Sequence, residues 1–154
     1  MTGEPPRGRE IGSRSRRIWL VAIGDALAIV AFLALGLTRH GIDPLLFPRH
    51  TVLTALPFVS AWFLLAPIAG LYRLRTLRSG PSTLVRTTAA WTGVSLLGSA
   101  VRSTPFLPGG APPEFLLVVI VFGAGVLLPW RLAVTLAEHV RHNHQGETDE
   151  IGRA

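Results

Sequence analysis

Asp25 is the residue of this sequence that most needs a chemical explanation. It is the only charged residue in the otherwise apolar run 18–37. A carboxylate inside a membrane-spanning helix costs about 2.5 to 3.5 kcal/mol on insertion scales, so some other group must compensate it. A proton or ion site would explain the residue, and so would a buried ion pair or a neutral, hydrogen-bonded acid. The sequence leaves both the functional and the structural role open.

Gly24 and Asp25 together resemble the Gly-Asp motif of intramembrane aspartyl proteases. Those enzymes use two aspartates, which share one proton and activate water. The other aspartates of this chain, Asp43 and Asp149, fall in a predicted loop and a predicted tail. We therefore expect no aspartyl protease chemistry.

A second set of polar residues recurs at helical spacing in and just after the apolar stretch 84–101. Steps of three or four residues place them within about 80° of one another around a helix axis. Such a stripe would either line a hydrated path or let two helices approach closely and bond through small hydroxyl groups. The small residues Ala89 and Gly93 beside it favour the helix contact. This polar stripe consists of Thr88, Thr92, Ser95, Ser99 and Arg102.

His139, His142 and His144 form the one cluster whose spacing resembles metal ligands. A zinc centre draws three or four ligands from an ordered framework, whereas these residues lie near the chain end without a matching carboxylate, which favours a solvated helix end. The chain has no Cys, and we find no phosphate loop, dinucleotide fingerprint or nucleophile elbow. The sequence predicts no metal, no cofactor and no enzyme active site.

Four apolar blocks must position these residues. The chain of 154 residues is 49% hydrophobic and 16% charged. About 20 apolar residues at about 1.5 Å each cross a hydrocarbon core of about 30 Å. The sequence predicts an all-α integral membrane bundle of four transmembrane helices over residues 18–144, with spans near 18–37, 51–71, 84–101 and 115–137. Residues 1–17 and 145–154 are predicted to be disordered tails.

The distribution of arginine predicts the orientation. All 15 basic residues are Arg, and only Arg39, Arg49 and Arg102 fall on one side of the four predicted spans. Because the cytoplasmic side carries the excess of basic residues, both termini are expected in the cytoplasm, an N-in/C-in topology. The net charge of +6 is assigned to these flanks, and no nucleic-acid binding is expected. Three residues of the second connection are predicted to contact anionic lipid headgroups: Arg73, Arg75 and Arg78.

Ser15, Arg16 and Arg17 before the first apolar block resemble a twin-arginine export signal. The apolar block that follows is longer than the 7 to 15 residues, roughly, of a signal-peptide core, and no clear Ala-x-Ala cleavage site follows it. We therefore expect a retained first helix.

The depth of each charged residue in the membrane predicts which of them can pair with Asp25. At about 1.5 Å per residue, Asp25 lies about 10 Å from the cytoplasmic edge and Arg131 about 6 Å from the same edge of a core of about 30 Å. Arg86 lies close enough to that edge to reach water directly, and Arg102 lies near the opposite face. The sequence predicts an Asp25–Arg131 pair, direct or through a water, that packs the first helix against the fourth.

Short Gly, Pro and Trp patterns in the spans resemble those of a known family. They are Gly24-Asp25 in the first span, Pro57, Trp62, Ala66-Pro67 and Gly70-Leu71-Tyr72 in the second, Ala90-Trp91 in the third, and Arg102, Pro108-Gly109-Gly110 and Trp130-Arg131 beyond it. Over residues 18–137 the chain resembles the uncharacterised prokaryotic membrane proteins grouped as domain of unknown function 3054 (DUF3054). The resemblance implies a small four-helix protein of a bacterial or archaeal plasma membrane, without an assigned activity.

Three classes of function remain open. A non-catalytic membrane module would bind membrane lipid, a protein partner or another copy of itself as a homo-oligomer. A small transporter or proton-linked channel would need Asp25 and the polar stripe to face a water-filled cavity. A membrane enzyme would need a nucleophile-base pair or a metal. The sequence favours the module, with the transporter as the alternative.

Overall fold

Five helices make up the part of the chain that the structure describes. The structure is a computed structural model, and it describes residues 7–77, 79–107 and 110–151. The predicted all-α class is confirmed for these residues, which contain no strand. The helices are α1 (Arg7–Arg39), α2 (Pro48–Ile68), α3 (Leu74–Leu77), α4 (Gly80–Arg102) and α5 (Pro113–Ile151).

Three of the helices are long and apolar enough to cross a membrane: Ser15–Arg39 in α1, Pro48–Ile68 in α2 and Pro113–Val140 in α5. The predicted third span, 84–101, lies in α4, which has 23 residues but is not among the three. Arg86 and the hydroxyl residues of α4 lower its mean hydropathy. Length and composition thus support three of the four predicted transmembrane helices.

The helix ends differ from the predicted spans. The second span was predicted to end at residue 71, whereas α2 ends at Ile68. Residues 7–17 and 145–151, predicted to be disordered, lie in α1 and α5. No proline occurs in residues 7–39 or 130–151. Because an existing helix gains one hydrogen bond for each residue that it adds, both apolar helices continue into their polar flanks.

Glycine ends both α1 and α2 in a Schellman motif. Gly41 and Gly70 adopt the left-handed conformation, with φ of 76° and 71°. At the end of α2, the Leu71 N–H donates to the Ala66 carbonyl at 3.0 Å and the Gly70 N–H donates to the Pro67 carbonyl at 2.9 Å. This turn reverses the chain at once after α2 and carries Leu71 back towards the bundle, where it is fully buried.

The four long helices pack as a ring. α1 packs against α2 and α5, α4 packs against the same two helices, and α1 and α4 lie diagonally opposite each other. Aromatic side chains fill glycine notches at three of the four interfaces, where an added Cβ would come within 2.1 to 2.6 Å of a ring atom. The pairs are Trp130 on Gly24, Phe58 on Gly98 and Trp91 on Gly123.

Large apolar side chains cover much of the outer surface of this ring. Leu27, Leu35, Ile68 and Phe122 are each more than half exposed, and many Leu and Val side chains are equally open. In a water-soluble monomer such continuous apolar surface is rare. Together with the three apolar helices, it indicates a protein embedded in a membrane.

Candidate functional site

The Asp25 side chain lies at the centre of a buried polar cluster in one half of the bundle. It is 0% exposed, and Val21, Ala22 and Ile29 bury the same face of α1. This spacing of three or four residues directs one stripe of α1 towards α2 and α5. The carboxylate therefore points into the bundle and away from the apolar exterior.

Four side chains donate hydrogen bonds to the Asp25 carboxylate. Oδ2 accepts from the Arg131 guanidinium, from the Tyr72 hydroxyl at 2.9 Å and from the Trp62 indole at 3.3 Å. Oδ1 accepts from the Trp130 indole at 3.0 Å. Hydrogen bonds to an ionised group are stronger than hydrogen bonds between two neutral groups. These four bonds connect α1 to α2, to the turn after α2 and to α5.

Arg131 is enclosed as completely as Asp25, with 0% of its surface exposed. Its Nη1 donates to the Leu71 carbonyl at 3.3 Å. Its Cζ lies 5.5 Å from the centroid of the Trp62 ring and 5.2 Å from that of Tyr72, within the range of cation-π attraction. The structure thus brings Asp25 and Arg131 into direct contact, without the intervening water that the sequence had left open.

Two glycines allow the donors to reach Asp25. A Cβ at Gly24 would lie 2.1 Å from Cζ2 of Trp130, so that only glycine admits the indole at this point. Gly70 supplies the left-handed residue of the turn that presents the Leu71 carbonyl to Arg131 and the Tyr72 hydroxyl to Asp25.

Tyr72 lies in the turn beyond α2, where its hydroxyl serves as a permanent donor. Burial, followed by the negative charge of Asp25, raises the pKa of the phenol above its ordinary value. Because the phenol stays protonated, it donates to Asp25 while it accepts from the Trp62 indole at 3.2 Å. The residues that sequence reasoning missed are therefore Trp62, Tyr72 and Trp130 as ligands of the carboxylate. The available signal was the N–H and O–H groups of these aromatic side chains, which need hydrogen-bond partners when they are buried.

The polar stripe of α4 does not form one buried surface. Ser95, Ser99 and Arg102 are buried, whereas Thr88 is exposed and Thr92 is half-buried. Ser95 donates to the Trp91 carbonyl of its own helix at 2.8 Å, and Thr92 donates to the Thr88 carbonyl at 2.9 Å. The second half of the predicted stripe, from Ser95 to Arg102, is buried, and its first half is not. On that half, Thr83 and Thr87 are the buried hydroxyl residues.

The remaining predicted residues lie outside the polar cluster. Arg73 and Arg75 are exposed in the connection between α2 and α4, and Arg78 lies outside the described residues. His139 is exposed, and the side chains of His142 and His144 lie outside the described ones. Among the residues that the structure describes, no three His, Asp or Glu side chains lie close enough together to hold a metal ion.

The fold and the site define a membrane-embedded helical protein with a buried, internally hydrogen-bonded ion pair. A family model described as "Protein of unknown function (DUF3054)" matches residues 22–134, a stretch that contains both Asp25 and Arg131. The chain belongs to this family, as its Gly, Pro and Trp patterns predicted. No curated protein and no solved structure matches the chain.

Proposed function

We propose that this chain is a non-catalytic membrane module that binds membrane lipid or a protein partner, another copy of the chain included. The observation that carries the proposal is the enclosure of the Asp25 carboxylate, which is 0% exposed and accepts from four donors. A carboxylate that is held in this way joins helices, and none of its surface is exposed to a substrate.

A proton-linked channel would use the same carboxylate differently. A proton carrier must exchange protons with water on at least one side of the membrane. Asp25 and Arg131 are both 0% exposed, and each oxygen of the carboxylate already accepts from the protein. A buried pair with this geometry supports a structural role, because the removal of either partner leaves an uncompensated charge in a dry interior.

Packing supports α4 as a fourth transmembrane helix. Its 23 residues span about 35 Å at about 1.5 Å each, enough for a hydrocarbon core of about 30 Å. α4 packs against both α2 and α5, each apolar enough to span a membrane. Its buried residues include the hydroxyls of Thr83, Thr87, Ser95 and Ser99, which are thereby kept from lipid. A helix flanked in this way lies at the same depth as its neighbours.

We place the module in a plasma membrane with both termini in the cytoplasm. The arginine distribution supports this orientation. The exposed Arg73 and Arg75 lie at the same end of the bundle as the Asp25 cluster, close to Tyr72, where they would meet the anionic inner leaflet. The opposite end, with Arg39, Arg49 and Arg102, then faces outward.

Proton flux separates the module from the channel. The protein would be reconstituted into phosphatidylcholine vesicles with an internal pH-sensitive dye, and a pH gradient would be imposed with valinomycin and potassium to prevent charge build-up. We expect the gradient to decay at the same rate in protein-free, wild-type and Asp25→Asn vesicles. Rapid decay with the wild type that Asp25→Asn abolishes would overturn the module and establish a proton-linked channel.

A further inference from the structure

A cavity of about 540 Å³ lies at the end of the bundle away from the Asp25 cluster. It is lined by the end of α1 and the connection after it, by the start of α2, by the end of α4 and the connection after it, and by the start of α5. Its volume falls within the range of about 300 to 1,000 Å³ that is usual for small-molecule sites. The ion pair described above takes no part in it.

The inner part of the cavity is apolar. Its walls include Phe32, Leu33 and Gly36 of α1 and Phe115 and Val119 of α5. Leu33 and Val119 are almost completely buried. Along α1 the lining extends from Phe32 to His40, about 12 Å at about 1.5 Å per residue. An apolar lining of this length can enclose part of a hydrocarbon chain.

One buried cation in the lining lacks an anionic partner. Arg102 is 6% exposed, its Nε donates to the Gly110 carbonyl at 2.9 Å, and its Cζ lies 5.3 Å from the centroid of the Phe115 ring. Its buried Nη1 has no hydrogen-bond partner in the described structure, and the same is true of the Thr54 hydroxyl, which also lines the cavity. A buried charge without a counter-ion is costly, so the arrangement is incomplete without an acceptor.

The other ionisable residues of the lining lie near its mouth. His40 and Glu114 are exposed and His50 is half-buried. Glu114 is the one acid among them, and it forms no ion pair with Arg102 within the described residues. The buried charge is therefore positive, while the single negative charge remains in contact with solvent.

We propose that this cavity binds a single-chain anionic amphiphile, with the acid group on Arg102 and Thr54 and the hydrocarbon chain between α1 and α5. Guanidinium groups bind carboxylate and phosphate through charged N–H donors, and Nη1 of Arg102 can supply one. The inference deepens the proposed function by giving a ligand class. In the orientation proposed above, the site opens towards the outer leaflet.

Binding of radiolabelled palmitate to the purified protein in dodecyl maltoside tests the proposal. We expect saturable binding of palmitate, competition by palmitoyl lysophosphatidate, and no competition by hexadecanol or acetate at the same concentration. The relative strength of the two anionic lipids then distinguishes a carboxylate from a phosphate head. Equal competition by hexadecanol would overturn the role of the charge, and equal competition by acetate would overturn that of the chain.

Two variants localise the site, each with a matched control. Arg102→Gln should weaken palmitate binding by about 10-fold to 100-fold, as expected for the loss of a hydrogen bond to a charged group, while Arg39→Gln, an exposed arginine of the same end, leaves it unchanged. Gly36→Leu should abolish binding, because Gly36 lines the cavity and a Cβ there meets no atom within 4 Å, so that the larger side chain reduces the volume open to the ligand. Gly125→Leu, at an equally open glycine outside the lining, is its control.

The outcomes are separable from those of the flux experiment. If Arg102→Gln does not fold, Gly36→Leu still decides the question, since it leaves the buried arginine in place. Unchanged palmitate binding in Gly36→Leu would overturn the proposed cavity site. Absence of palmitate binding in the wild type would overturn the ligand class and leave the non-catalytic module standing, whereas Asp25-dependent proton flux would overturn the module alone.

Discussion

The Trp130 indole occupies the space that a side chain at position 24 would need. Cζ2 of Trp130 lies 2.1 Å from where a Cβ on Gly24 would stand, and the same indole donates to Oδ1 of Asp25 at 3.0 Å. A glycine of α1 thus stands next to Asp25, a buried charge of the same helix. Close contact between α1 and α5 and the hydrogen bond to Asp25 depend on the same glycine.

Gly24→Ala should destabilise the protein, and Gly36→Ala should not. The new methyl group at position 24 displaces Trp130, and overpacking of this kind costs about 1 to 3 kcal/mol. At Gly36 a Cβ meets no atom within 4 Å, so alanine adds only its helix preference of about 0.5 to 1 kcal/mol. Thermal unfolding in dodecyl maltoside measures both. Equal unfolding temperatures of the two variants would contradict the glycine notch.

Asp25→Asn and Arg131→Gln should each cost about 3 to 5 kcal/mol of unfolding free energy, because each leaves the other charge buried. The double variant should cost less than the sum of the two, as expected for residues in direct contact. Thermal unfolding of the wild type, the two single variants and the double variant in detergent measures these losses as a double-mutant cycle. Strictly additive losses would show that the two residues act independently.

Tyr72→Phe should lower the free energy of unfolding by about 1.5 to 3 kcal/mol, the usual loss for a hydrogen bond to a charged group. The phenylalanine ring keeps the cation-π contact with Arg131 and removes the hydroxyl, which donates to Oδ2 of Asp25 and accepts from the Trp62 indole. Thr88→Val removes a hydroxyl at an exposed position and serves as the control. Unfolding of Tyr72→Phe at the wild-type temperature would show that the hydroxyl does not hold Asp25.

Reporter fusions test the orientation. Fusions after His144 and within residues 73–82 should read cytoplasmic, and fusions within 39–50 should read external, because the arginine excess lies on the first side. Paired alkaline phosphatase and green fluorescent protein fusions give opposite signals for the two sides. An external signal within 73–82 would reverse the topology and move the Arg102 cavity to the inner face.

The Asp25–Arg131 contact followed from the sequence because helix rise converts residue number into depth. A fixed rise of about 1.5 Å placed both residues at similar depth before any packing was known. Tyr72 could not be located in this way, since it reaches the carboxylate through a turn whose direction depends on the left-handed Gly70. Rise alone does not specify such a turn.

Only part of the buried face of α4 could be predicted, because helix spacing does not fix the rotation of a helix about its axis. Hydroxyl residues occur on more than one side of this helix, so their spacing is compatible with several rotations about its axis. The rotation of α4 is fixed by two contacts between an aromatic ring and a glycine. Phe58 of α2 packs on Gly98 of α4, and Trp91 of α4 packs on Gly123 of α5. Those contacts bury Thr87 and expose Thr88. The cavity at Arg102 likewise depends on two stretches that are distant in sequence, 32–54 and 102–119.

The separation of Asp25 and Arg131 along the chain has a consequence for biosynthesis. Arg131 follows Asp25 by 106 residues, so at about 5 to 20 residues per second the ribosome takes about 5 to 20 s to supply it. The neutral donors Trp62 and Tyr72 emerge first, 37 and 47 residues after the acid. The uncharged partners of the carboxyl group are therefore synthesised before its cation. Because the counter-charge resides on α5, the polar cluster can be completed only when α5 has been made.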